Sequence, residues 1–520
     1  MGRCGRVAVA AVMAGGPAAL WVGTPAGSHP AGMTGPLTLA ASGAASPSVP
    51  VAVSPTGDAR GFWVAETDGN VIPEGDAVGH GDAAGDDLAA PVVGIATSAG
   101  GDGYWLLGAD GGVFSYGAAH FYGSTGDDHL VQPALQMVSS RTGDGYWFVA
   151  RDGGVFSFGD ARFYGSTGGV HLVQPVLGMA ATPAGAGYWL VARDGGVFSF
   201  GDARFHGSTG GMKLASPVVA MAPTATGDGY WLVARDGGVF AFGDAGFHGS
   251  LGGQALPAPA IGLVATHDGG GYWLVLGNGT VRAFGDATTI DSPALATAGY
   301  SLVGDVIGLD PGHNGGNGGD PAYIDRPVWN GREYESCDTA GAETDAGYTE
   351  STFNFDVATR LAALLRQDGA TVVMTRDSNS GVGPCVTTRA GIINDAGADA
   401  ALDIHADGGP AGGRGVTVLE PVADGPNNDV ISASDQLAQS VLGDFRGQTG
   451  EPDSTYDGTN GVEPRDDLAG LNLTTVPKIL IECANMRNAT DAASISNPTW
   501  RQAAAQGLAD GLSQFLIGYA

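Results

Sequence analysis

The chain has 520 residues, 90 of them glycine, and a formal net charge of −31 at pH 7. At roughly 100–200 residues per domain, that length holds two to four domains. The acidic balance argues against nucleic acid as the main partner and against a polybasic membrane anchor, since both need clustered Lys and Arg.

At the start of the chain, Arg3 and Arg6 precede a small, apolar run from Val7 to Val22, interrupted by Gly15, Gly16 and Pro17. A membrane span takes about 20 apolar residues, so the run reads as a secretory signal peptide over 1–26, with the cleavage point left open. Residues 27–49 read as a flexible linker. Cys4 lies before the apolar run, which excludes it as a lipid-modified cysteine. No later stretch is apolar enough to span, so the mature protein is expected to be secreted, in the cell envelope or outside the cell. Three cysteines then remain. Cys337 and Cys385 sit in polar, Gly-rich loops, and Cys483 lies in the apolar run from Ile479 to Ala484. An oxidising compartment allows one disulfide, Cys337–Cys385, with Cys483 as a buried hydrophobe; three unrelated thiols are the alternative.

Tryptophan recurs at Trp63, Trp105, Trp147, Trp189, Trp231 and Trp273, a period of 42 residues. One unit reads as four short strands: Val218–Ala222, Tyr230–Ala234, an Asp236-Gly237 hairpin signal of the type I′ kind, Val239–Phe242 and Gly246–Gly249. Four strands per 42 residues fits a propeller blade, and six copies predict six blades over 50–301. A β-solenoid or an open array is the competing arrangement. Tyr122, Tyr164, His206 and His248 share one repeat position. Exchange of Tyr for His there points to a packing slot rather than a metal ligand. The repeats hold no recurring nucleophile and base, so they read as a binding or scaffolding module, with a wall glycan or an envelope protein as the expected partner.

After Ser301 the period stops and strands alternate with helices. Asp305–Leu309 reads as a strand ending in Asp310-Pro311-Gly312-His313, and Phe353–Gln367 as a helix with Val357, Leu361, Leu364 and Leu365 on one face. Further strands are expected at Thr371–Arg376, Ala400–His405, Gly415–Leu419 and Lys478–Glu482. Helices are expected at Ala390–Ala396, Gln436–Phe445 and Trp500–Leu516, which makes an α/β domain. His313, His405 and Glu482 stand at strand ends and Glu350 just ahead of the long helix. Strand ends on one side of such a sheet converge on a ligand crevice. Two imidazoles and a carboxylate suit a catalytic zinc with an open position, and Glu482 could then carry a proton; a lone histidine on a strand is otherwise a satisfied core residue.

Four separated stretches here resemble the zinc-dependent N-acetylmuramoyl-L-alanine amidases. They are Leu309-Asp310-Pro311-Gly312-His313-Asn314-Gly315, Glu350 with Phe353-Asn354, the run from Asp399 to Asp407, and Ile479-Leu480-Ile481-Glu482 with Asn485–Asn488. The resemblance covers residues 303–520 and is closest to actinobacterial members, through Asn330-Gly331-Arg332, Gly383-Pro384-Cys385 and Asp467–Asn472. It implies that His313, Glu350 and His405 hold zinc and that Glu482 is the catalytic acid/base. A zinc-bound water would attack the amide between N-acetylmuramic acid and L-alanine of peptidoglycan. Asp310, Asp403 and Asp407 are candidates for orienting the imidazoles, or else cap turns at strand ends. The expected architecture is multidomain: an all-β six-bladed propeller-like domain over 50–301, then an α/β zinc amidase domain over 302–520. A catalytically inactive wall-binding or scaffolding protein is the alternative function.

Overall fold

Each 42-residue unit forms a small antiparallel sheet of its own. A computed structural model describes residues 48–518 except 99, 127–129, 291–300 and 424. The expected signal peptide and nearly all of the expected linker lie outside the described residues. In the fifth unit, Val218–Pro223, Gly229–Ala234 and Val239–Gly243 form a three-stranded antiparallel sheet, and the other five units repeat this order. The middle strand is buried along its whole length in every unit, which explains its unbroken Tyr-Trp-aliphatic sequence.

Two expectations need correction. The sheets have three strands, not four. The fourth segment is held by side chains instead of a ladder: Tyr272 Oη accepts His248 N at 3.2 Å and donates to Gly249 O at 2.5 Å. Trp231 Nε1 donates to Gly246 O at 2.7 Å. Gly249 has φ 140°, outside the range of a strand residue with a Cβ. The hairpin is not type I′ either. Only Gly237 has positive φ, at 76°, while Asp236 Oδ1 accepts the Gly238 N–H. His206 and His248 pack edge-on against Tyr230 and Tyr272, in the packing slot that the Tyr/His exchange suggests.

Neighbouring sheets touch through their first strands, and the sixth also touches the first. Phe62 and Val64 of the first unit pack with Val264, Trp273 and Val275 of the last. The six first strands line a cavity of about 520 Å3, which Ser301, Val303 and Gly304 also border.

The C-terminal part is an α/β domain. Its sheet has the order Thr371–Met374, Val306–Pro311, Ala400–Asp407, Lys478–Asn485, Thr417–Pro421, Val462–Arg465. The first four strands are parallel, and Thr417–Pro421 runs antiparallel to its neighbour. On one face the helices Glu350–Gln367, Ile431–Thr449 and Pro498–Gly518 bury Val357, Leu361, Val441, Phe445, Leu508 and Leu512 against Leu309, Leu402 and Ile481. Close helix packing explains Gly511, where a Cβ would sit 2.5 Å from Val441 Cα. The helix Val386–Asp395 covers the other face through Ile393. A two-stranded hairpin, Pro327–Trp329 with Tyr334–Ser336, was not read from the sequence.

Three arginines from successive repeats join the two parts. Arg151 Nη2 and Arg193 Nη1 reach Asp399 at 2.8 and 2.6 Å, and Arg235 Nη2 reaches Asp305 at 2.8 Å. Arg235 also donates to Leu516 O at 3.1 Å, in the last turn of its helix, where a cation meets the negative end of the dipole. Asp305 and Asp399 precede the strands Val306–Pro311 and Ala400–Asp407. The repeats therefore dock at the N-terminal ends of the two strands that lead to His313 and His405.

Candidate active site

Parallel pairing sets the site. Pro311 is opposite Ile404, which brings His313, two residues past its strand, beside His405. His405 is opposite Glu482 on the next strand. Both strands run on past these residues, so His405 and Glu482 lie inside strands rather than at their ends. Glu350 is the first residue of its helix, not a residue ahead of it, and a carboxylate is favoured there by the helix dipole.

His313, Glu350 and His405 bring one ligand atom each to within 4.8 Å of one another. Glu350 Oε1 lies 3.3 Å from His313 Nε2 and 2.8 Å from His405 Nδ1, and the rings meet at 88°. The backbone is shaped for this cluster. His313 itself has φ 57°, a conformation that costs a non-glycine residue energy and is found at functional sites. A Cβ at Gly312 would lie 2.1 Å from the His405 ring, and one at Gly341 2.6 Å from His313 Cδ2. Two glycines thus leave room that side chains would fill.

Carboxylates hold the far side of each ring. His313 Nδ1 is 3.1 Å from Asp338 Oδ1, and His405 Nε2 is 3.2 Å from Asp403 Oδ1. Behind them, Arg389 binds both Asp338 and Asp310, and Lys478 binds Asp310 at 3.0 Å with Asp403 at 3.7 Å. Asp403 therefore touches an imidazole, whereas Asp310 reaches one only through Arg389 and Asp338 or through Lys478 and Asp403. Asp407 meets no imidazole in this set and instead bonds the Tyr456 hydroxyl. Asp338, Arg389 and Lys478 were missed by the sequence reading. Their partners lie 25, 79 and 168 residues away, beyond any local pattern.

Electrostatics follow the geometry. Burial works against protonation of His313, but Glu350 and Asp338 overcome it and hold its pKa up at about 9. Glu350 goes well below the usual range, its burial outweighed by the two histidines. A field that keeps protons on two imidazoles also attracts a divalent cation, and the donor set of two imidazoles and a carboxylate fits zinc. Burial pushes Glu482 up to about 8 against the pull of His405, and its Oε2 is buried with no hydrogen-bond partner. All four residues line one cleft of about 410 Å3 with Arg465, Leu468 and Leu471. Cys337 and Cys385 are bonded, Cα atoms 4.6 Å apart, and Cys483 is free and buried.

The N-acetylmuramoyl-L-alanine amidase family matches residues 307–514. The N-acetylmuramoyl-L-alanine amidase Rv3717 of Mycobacterium tuberculosis is 38% identical over 231 residues, 44% of this chain and 93% of that protein. The chain belongs to the N-acetylmuramoyl-L-alanine amidase family. Crystal structures of the Ami1 amidases from Mycobacterium smegmatis and Mycobacterium abscessus are each 40% identical, with TM-score 0.39. Each covers 41% of this chain, and the match spans 97% and 99% of the respective structures. This amidase is accordingly a peptidoglycan hydrolase acting on the amide between N-acetylmuramic acid and L-alanine. The family match starts at residue 307, so the amidase carries its repeats outside it.

Proposed function

We propose that His313, Glu350 and His405 hold a zinc ion and that Glu482 is the proton carrier of amide hydrolysis. The observation that carries this reading is the meeting of two imidazoles and a carboxylate within 4.8 Å, in one cleft with the unpartnered Glu482 oxygen. Bound there, zinc supplies Lewis-acid chemistry that polarises the scissile carbonyl and eases the ionisation of water. Asp338 bonds the outer nitrogen of His313 and so fixes its tautomer, while Asp403 places its charge 3.2 Å from His405 Nε2. Asn354 and the backbone N–H of Ala342 hold the Glu350 carboxylate in place. Glu482 takes the proton of the attacking water and delivers it to the departing alanine nitrogen, which leaves poorly as an anion. A pKa near 8 suits a group that must accept and release a proton close to neutrality.

The remaining readings complete this proposal. The six sheets form a closed six-bladed propeller over 50–301, supported by packing of the first unit on the last. Residues 302–520 are the catalytic domain. Export by the segment 1–26 fits a peptidoglycan substrate, and no helix among the described residues is long and apolar enough to cross a membrane. The repeats bind a wall glycan or an envelope protein. Digestion of purified peptidoglycan, with mass spectrometry of the released peptides and metal analysis of the enzyme, tests the central claim. Free stem peptides beginning with L-alanine, released by protein holding one zinc per chain, are expected. Release of sugars instead, or full activity in metal-free protein, would overturn it.

A further inference from the structure

The hairpin missed by the sequence reading carries two aromatic rings in solvent. Trp329 is 49% and Tyr334 71% exposed, whereas the six repeat tryptophans are at most 2% exposed. The two rings meet edge to face with centroids 5.3 Å apart. Register explains their common side. Trp329 is opposite Tyr334 and Pro327 is opposite Ser336, so these four residues share one face of the hairpin. Val328 and Glu335 take the other, half-buried face, where Glu335 Oε1 accepts the Ala469 N–H at 2.9 Å.

The hairpin ends at the active site. Ser336 from the exposed face and Glu335 from the other both line the cleft that holds His313, Glu350, His405 and Glu482. At about 3.3 Å per residue, Tyr334 lies roughly 6–7 Å further out, about the width of one sugar ring. The platform is held at both ends. At its base, Cys337 N donates to Arg326 O, and Cys337 is bonded to Cys385, whose Sγ also meets Arg326 Nη2 at 2.9 Å. At its tip, Asn330 Nδ2 donates to Asp467 O, while its Oδ1 accepts the N–H groups of Arg332 and Glu333.

We propose that Trp329 and Tyr334 form a binding subsite for the neutral glycan strand, stacking on a sugar next to the muramic acid whose amide is cut. This rests on the peptidoglycan reading of the site. One side of the scissile amide is sugar and the other is a polar stem peptide that begins with L-alanine, whose methyl group offers no flat face to the rings. A pyranose ring offers a flat C–H face of matching size, and its hydroxyl edges can stay in water beside the polar Arg332 and Glu333. Aromatic rings fixed in advance also cost little ordering on binding.

The test uses the full-length chain and two substrates, glycan strands bearing stem peptides and N-acetylmuramoyl-L-alanyl-D-isoglutamine. In Trp329→Ala/Tyr334→Ala, kcat/KM on the strands should fall roughly tenfold through KM, the factor that about 1.4 kcal/mol of lost binding gives. Turnover of the single-sugar substrate should stay within about twofold, and Trp329→Phe/Tyr334→Phe should keep most of the strand activity. Equal loss on both substrates, or no loss on strands, would overturn the subsite. Tyr334→Ala alone serves if the double variant does not fold. Binding of peptide-free glycan strands, read by isothermal titration calorimetry and lost in Trp329→Ala/Tyr334→Ala, stands even if wild-type protein cuts neither substrate. In that case the failure would belong to the catalytic reading alone.

Discussion

Arg235 and Asp305 meet at 2.8 Å with side chains only 4% and 2% exposed, so a repeat turn and the first strand of the catalytic sheet share a buried ion pair. Arg193 adds a second contact to Asp305 at 3.3 Å. Breaking a buried pair on one side is costly, because the remaining charge stays out of water. Arg193→Ala/Arg235→Ala should therefore weaken docking by about 3–5 kcal/mol, seen as an earlier, separate unfolding transition. In isolated residues 302–520 the same aspartates regain water. That fragment should fold, at lower stability, and cleave a small muropeptide; an unchanged melting profile in the double variant would refute the role of the pair.

Glu482→Ala should retain zinc and lose at least about a hundredfold in kcat, the low end of what proton transfer contributes. His313→Ala and His405→Ala should lose the metal itself. Metal analysis of the purified variants separates these two behaviours, and near wild-type turnover in Glu482→Ala would remove its assigned role.

Asp338→Asn keeps the size of the side chain but removes the charge beside His313 Nδ1. Partners of this kind are worth about 10–100-fold in metal affinity. Competition with a chelator should show a loss in that range, whereas an unchanged affinity would make Asp338 a structural partner of Arg389 only.

The disulfide closes a loop of sequence separation 48 that includes Glu350. Chain-entropy estimates for such a loop are roughly 3–4 kcal/mol. Cys337→Ser/Cys385→Ser should lose about that much stability to denaturant. Peptide mapping of unreduced protein should find the two cysteines linked, and two free thiols there would end the idea.

Asp368 caps the C-terminal end of the helix Glu350–Gln367, where burial and the nearby Asp510 push its carboxyl up to about 7. A carboxyl with a raised pKa binds more protons folded than unfolded between about pH 4 and pH 7, so stability falls as pH rises through that window. Asp368→Asn should raise stability at pH 8 by about 1–2 kcal/mol, with most of the gain gone at pH 4. A gain of equal size at both pH values would show that its charge is not the cause.

What the sequence revealed followed local pattern. Strand ends and the motifs around them identify His313, Glu350, His405 and Glu482, which the fold brings into one cleft. Leu361 and Leu365 read as the buried face of their helix and are buried. Contacts between distant segments were not legible. Asp338 looks like any acidic residue after a cysteine until Arg389 and His313 arrive beside it. The fourth strand failed for a related reason: Gly246–Gly249 has strand-like composition, but a tyrosine from the next repeat takes its backbone groups. Arg151, Arg193 and Arg235 carry no local signal in the sequence, because their partners lie in the other domain.

Those arginines also break a symmetry. At the same position the other repeats carry Thr67, Ala109 and Gly277, so cationic turns occur in three consecutive units only. Six near-identical sheets would otherwise offer the catalytic domain six interchangeable seats. Among the described residues Arg151 and Arg193 pair with Asp399, and Arg193 and Arg235 with Asp305, so the docked arrangement pairs these buried charges. One side chain in each of three repeats thereby gives the array a fixed heading, and the direction in which the catalytic cleft faces is written into turns on the opposite side of the sheet.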